Sequence, residues 1–164
     1  MENETLEQLL LDEVKIVFKY LIKMGASKEE AEDIVQETLY KALKNIDAIH
    51  QDRIRAWLFK VAINSYYNLY SKKKRSSEYI DTLPNRELFA ESAEDQVVSK
   101  ERNIEIYNAL DLLKPSYKNL LVFKYFLDLS YKDIADILEM SESNVKVYLY
   151  RARNKFKEIW EGLS

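Results

Sequence analysis

The chain has 164 residues, 47% of them hydrophobic, with 25 basic and 28 acidic side chains, which suffices for one domain or two very small ones. With no cysteine and a single histidine, His50, it has no disulfide, thiolate nucleophile, thiolate zinc site or multi-histidine metal centre, and no cofactor is expected. Two glycines, where about eleven would be average, predict helices rather than hairpins, while the lack of a long apolar run and the acidic start MENETLEQ predict a cytoplasmic protein without membrane insertion.

Apolar residues at Leu6, Leu9, Leu10, Val14, Val17, Phe18, Leu21 and Ile22 predict a first helix from about Leu6 to Lys23, ended by Gly25. Ser27 with Glu30 three residues on is a capping-box pattern. It opens a second helix whose inner stripe is Ala31, Ile34, Val35, Thr38, Leu39, Ala42 and Leu43, running to about Asn45. A polar loop holding His50 follows, and Asp52 is the expected cap of a third helix. Its inward positions are Ile54, Trp57, Leu58, Val61, Ala62, Tyr66 and Leu69, and it ends in Lys72, Lys73, Lys74 and Arg75. From Ser76 the stripe lapses into an acidic linker with Pro84. Periodicity resumes near Val97 and gives a helix to about Leu113, then another from Pro115 through Phe126. Ser130 with Asp133 opens a short helix. Glu139, Met140 and Ser141 form a turn, and a last helix runs from Glu142 to about Trp160. The expected organisation is an all-α chain of two small domains, 1–75 and 97–164, with 76–96 between them.

Charge is segregated along this frame. Residues 1–45 carry 6 basic and 10 acidic groups, 46–80 carry 7 and 3, 81–113 carry 3 and 8, and 114–164 carry 9 and 7. Two basic stretches in an acidic chain are an argument about partners.

Three groups of residues stand out. The span Tyr131 to Tyr150 has helix-turn-helix spacing, with Ala135 small at the crossing and Ile134, Leu138, Val145 and Leu149 as its apolar contacts. Ser143, Lys146, Val147, Tyr150 and Asn154 share the outward face of the second helix, flanked by Asn144, Arg151 and Arg153, a pattern that fits a DNA major groove. Glu139 stands where such turns often have a left-handed glycine, at a cost of about 1 kcal/mol. On the third helix, Arg53, Arg55, Lys60 and Lys72 to Arg75 surround Trp57, Phe59, Tyr66, Tyr67 and Tyr70, a mixture suited to unpaired bases and their backbone. Trp57 and Tyr66 read as core, whereas Phe59, Tyr67 and Tyr70 fall nearer the outer face. On the second helix, Asp33, Gln36, Glu37 and Tyr40 lie opposite the apolar stripe. No phosphate loop, nucleophile with a base or paired catalytic carboxylate is present, so no enzyme is expected.

The segments AEDIVQETLYKAL (Ala31 to Leu43), RAWLFKVAINSYYNLYSKKKR (Arg55 to Arg75) and LSYKDIADILEMSESNVKVYLYRARNKFKE (Leu129 to Glu158) together resemble the extracytoplasmic-function sigma factors of bacterial RNA polymerase. The resemblance implies a sigma factor with a region 2 domain and a region 4 domain. It implies as partners core RNA polymerase, through its clamp helices and flap, and promoter DNA, with an anti-sigma factor a common further partner in that family. Asp33, Gln36 and Glu37, with Tyr40 on the same face, would bind polymerase. The third helix, matching the one the family uses to melt promoter DNA, would engage the −10 element through Arg55, Lys60, Asn64, Tyr67, Tyr70, Lys72, Lys73, Lys74 and Arg75, and the loop Ile46 to Asp52 lies where the family holds a flipped base. Ser143, Asn144, Lys146, Val147, Tyr150, Arg151 and Arg153 would meet the −35 element. Where the family commonly reads V-K-S-R-L-H-R-A, this chain has Val147 and Tyr148 for the serine and the first arginine, so the usual −35 sequence is not carried over. Tyr148, next to Val145 and Leu149, is expected buried or half-buried. Two other readings remain at this level: a helix-turn-helix regulator that does not melt promoters, and an all-helical adaptor for acidic proteins.

Overall fold

In a computed structural model the described residues are 2–76 and 97–163, with side chains described for 5–72 and 104–163. The expected linker, apart from Ser76 at a helix end, and the side chains of Lys73, Lys74 and Arg75 lie outside them. Every regular element among the described residues is helical: α1 (Glu2–Met24), α2 (Lys28–Lys44), α3 (Ile54–Ser76), α4 (Val97–Asp111), α5 (Pro115–Leu121), α6 (Tyr131–Leu138) and α7 (Glu142–Leu163). The helices fall into two compact units, α1–α3 and α4–α7.

In the first unit all three helices pack on one another. α1 ends at Gly25, whose φ of 114° is open to glycine and strained for other residues; the Ala26 amide reaches back to the Leu21 carbonyl at 3.0 Å. Ser27 and Glu30 close a reciprocal capping box, Ser27 Oγ accepting from the Glu30 amide at 3.1 Å and Glu30 Oε1 from the Ser27 amide at 2.9 Å. Where the three helices pack, Val17, Tyr20 and Leu21 of α1, Ala31 and Ile34 of α2, and Leu58, Phe59 and Ala62 of α3 are all buried. Each large side chain taken from water in this way contributes about 1.5–3 kcal/mol.

Three expectations are corrected here. Asp52 does not cap α3, because a short 3₁₀ turn, Gln51–Arg53, runs directly into the helix and takes its N-terminal position from His50. Phe59 is fully buried, its ring edge-on to Tyr20 at 5.6 Å. A helix packed between two others buries a wider arc than one amphipathic stripe, and Phe59 falls inside it. Leu43, expected inside, is 53% exposed. The buried line of α2 is Ala31, Ile34, Thr38 and Ala42, and at about 100° per residue position 43 lies roughly 135° from its centre.

The second unit is built around α5, which packs most extensively on α7. Lys118, Asn119, Leu120 and Leu121 are buried in succession, and the Lys118 ammonium is matched by Asp111 at 2.7 Å. Where one helix through Phe126 is expected, the chain widens to a π-helical turn, Val122–Phe126, closed by the Leu127 amide on the Val122 carbonyl at 3.1 Å. The wider turn keeps Phe123 inside while Phe126 stacks on Tyr107 at 5.7 Å. Ser130 Oγ accepts from the Asp133 amide at 3.0 Å and Ser141 Oγ from the Asn144 amide at 3.1 Å, fixing the starts of α6 and α7.

Candidate nucleic-acid interface

The turn between α6 and α7 sets the most defined surface. Glu139 is left-handed, at φ 56° and ψ 49°, and its amide and that of Met140 both return to the Ala135 carbonyl. This stops α6 in one residue and redirects the chain into α7, whose inward face is Val145, Leu149 and Ala152. Ser143, Asn144, Lys146, Val147, Tyr150, Arg151 and Arg153 are all exposed on the remaining surface. The cations among them rest on tyrosines: Lys146 Nζ lies 5.3 Å from the Tyr131 ring centroid, Arg151 lies over Tyr148 at 5.5 Å, and Arg153 donates to Tyr125 Oη at 2.9 Å. Tyr148, expected half-buried or deeper, is exposed, since it projects sideways from the helix and serves as the platform for Arg151.

Lys124, Tyr125 and Tyr131 join this surface without having been marked in the sequence. Lys124 Nζ is 4.4 Å from the Tyr131 ring and 3.2 Å from the Leu129 carbonyl. The π turn presents Lys124 and Tyr125, and an α-helical period misplaces both. The available signal was a lysine and a tyrosine just before a helix start.

On the first unit, α3 carries Lys60, Asn64 and Tyr67 along its outer side, with Asn64 and Tyr70 exposed. Tyr66 anchors the aromatic group: its hydroxyl donates to the Met24 carbonyl at 2.9 Å, and Tyr67 and Tyr70 lie 5.7 and 6.3 Å from its ring. Burial pushes the nearby Tyr20 phenol well above its ordinary value, and burial followed by Lys19 lowers Lys23. Lys72 is exposed at the edge of the described side chains. Arg55 is different. Its Nε and Nη2 donate to Glu13 Oε2 and Oε1 at 2.8 and 3.1 Å, so its guanidinium is held in a two-point pair with a buried carboxylate of α1. The loop before α3 presents Asp47, Ala48, His50, Gln51 and Asp52, with Ile46 and Ile49 half-buried beneath.

On α2, Asp33, Gln36, Glu37 and Tyr40 are exposed together, Tyr40 at 66%. The exposed Leu43 joins them, and Glu37 pairs with Lys41 at 3.0 Å. Acids beside large apolar side chains repel phosphate and suit a protein partner. Among the described residues no His, Asp and Glu group is arranged to hold a metal, and no helix is long and apolar enough to cross a membrane.

Two family profiles match the chain: "Sigma-70 region 2" over residues 9–76 and "Sigma-70, region 4" over residues 103–156. The extracytoplasmic-function (ECF) RNA polymerase sigma factor SigM of Bacillus subtilis is 28% identical over 156 residues, covering 95% of each chain. This chain belongs to the ECF sigma factors. Another relative, the ECF RNA polymerase sigma factor SigW of the same organism, is 29% identical over 153 residues, covering 87% of this chain and 81% of that one. Among solved structures, the sigma factor RpoE of Bartonella quintana, in complex with the anti-sigma factor NepR, has a TM-score of 0.73 at 23% identity, covering 96% of this chain and 98% of that one. CnrH, in complex with the cytosolic domain of CnrY, has a TM-score of 0.71 at 20% identity, covering 99% of this chain and 91% of that one. As a sigma factor the chain directs core RNA polymerase to promoters. Its α1–α3 unit falls within the region 2 match, and most of α4–α7 within the region 4 match.

Proposed function

We propose a division of this activity among three surfaces, with residues 1–75 and 97–164 acting as separate domains joined by 76–96. Asp33, Gln36, Glu37 and Tyr40 dock α2 on core polymerase. Lys60, Asn64, Tyr67, Tyr70 and Lys72, continued by Lys73, Lys74 and Arg75, take the −10 element and its separated strand, rings stacking on bases while cations follow the backbone. Arg55 serves that surface from behind, by locking α3 to Glu13. Ser143, Asn144, Lys146 and Val147 select the −35 sequence, and Tyr150, Arg151 and Arg153 hold its flank and phosphates.

The observation that carries this reading is α7: seven candidate residues exposed together, opposite a buried Val145, Leu149 and Ala152, directly after a left-handed turn. The net charge of −3 is consistent with it. Two weak DNA readers on one polymerase gain by effective concentration, so strong binding by the free chain is not required. The protein itself performs no covalent chemistry and works in the cytoplasm beside the polymerase. An anti-sigma factor, the partner that RpoE of Bartonella quintana carries, is extended to this chain on the same footing.

Replacing Asp33, Gln36 and Glu37 together by alanine tests the α2 assignment. Helical circular dichroism is expected to persist, since all three are exposed, while affinity for core polymerase falls at least tenfold. Undiminished core binding would remove α2 from the interface.

A further inference from the structure

The buried residues Val145, Leu149 and Ala152 define the back of α7. Counting about 100° per residue from them, Val147 stands on the opposite crest within roughly 20° of its centre, with Ser143 and Asn154 close to the same line. Tyr150 lies about 60° to one side and Arg151 about 40° to the other. The crest residue is apolar and open, Val147 being 46% exposed and Tyr150 59%. The cations nearest to it are drawn to ring partners, Lys146 toward Tyr131 and Arg151 onto Tyr148. At the level of Val147 the crest is thus a small hydrocarbon surface between two positive flanks, with the polar Ser143 and Asn154 before and after it along the helix.

A major groove offers one hydrocarbon group to such a surface, the 5-methyl of thymine. Valine has no donor or acceptor beyond the backbone. Pressed against the amino group of cytosine or the N7 of a purine, it would strip water from that edge and return no hydrogen bond. Against a thymine methyl it loses nothing and buries apolar area. We infer that Val147, with the exposed Tyr150 three residues on, is a thymine reader, packing its methyls on the 5-methyl group of one thymine in the −35 element. This rests on the assignment of α7 to the −35 element and adds a base identity to it. The flanking Lys146 and Arg151 supply the charge complementarity that brings a groove to this face.

Deoxyuridine isolates the methyl group, because it keeps every hydrogen-bonding atom of thymine. The full chain assembled with core polymerase is first given a randomised −35 library, and the selected element is remade with each thymine of either strand replaced singly by deoxyuridine. One position is expected to lose binding three- to fivefold, about the effect of one buried methyl group. Holoenzyme carrying Val147→Ser, whose helical circular dichroism should match the parent because the site is exposed, is expected to bind thymine and deoxyuridine equally at that position. Deoxyuridine tolerated at every position, with the −35 preference intact, would overturn the thymine reading and leave the assignment of α7 standing. A selected element of G·C pairs alone would do the same. Loss of all −35 preference in the parent would overturn both.

Discussion

Glu139 holds a left-handed backbone that favours glycine, and it does so at the turn on which the α7 surface depends. Glu139→Gly is expected to raise stability by about 0.5–1 kcal/mol, read as a higher thermal midpoint. An unchanged or lower midpoint would mean that the glutamate side chain repays the strain. Thr38 carries the opposite kind of cost. It is fully buried on α2, and its hydroxyl has no hydrogen-bond partner among the described residues. Thr38→Val keeps the shape and removes the polar group, so a gain of about 1 kcal/mol in chemical denaturation is expected. The left-handed turn was legible from the sequence because a three-residue gap between two helical stripes leaves little alternative. The orphaned hydroxyl was not, since threonine in an apolar stripe reads as a small core residue until its neighbours are known.

At the scale of elements, α3 shows where a stripe stops being informative. The sequence placed Tyr66 inside, where it is, and Phe59 outside, where it is not. Helix period predicts one buried face, but α3 packs on both α1 and α2 and buries a second. The same limit applies to α5, where four buried residues in a row and a π turn break the period that the sequence was read by. Arg55 is the instructive case. Composition and neighbours marked it as a DNA-facing cation, and the structure shows it tied to the buried Glu13. Removing one partner of such a pair leaves a buried charge unmatched. Arg55→Ala is therefore expected to destabilise the first unit by about 3 kcal/mol, the lower end for a buried pair because the guanidinium is partly exposed. A denaturant titration that found Arg55→Ala as stable as the parent, with promoter binding reduced, would return Arg55 to the DNA surface.

For the whole molecule, the charge pattern was the sequence feature that carried furthest. A net charge of −3 taken whole would argue against a nucleic-acid partner, yet residues 46–80 carry 7 basic against 3 acidic groups, and α3 with its aromatic side chains falls in that stretch. The acidic first 45 residues include the α2 surface assigned to a protein partner. On the proposed division of surfaces, each unit contributes one weak recognition step and the polymerase joins them. The central claim is that these surfaces together open promoters, and permanganate footprinting of promoter DNA with core polymerase and the full chain tests it most directly. The account predicts a reactive bubble at the −10 element with the parent chain, and a reduced one when Lys72, Lys73, Lys74 and Arg75 are replaced by alanine. A parent chain that binds core polymerase and yields no bubble on any member of a promoter library would contradict it.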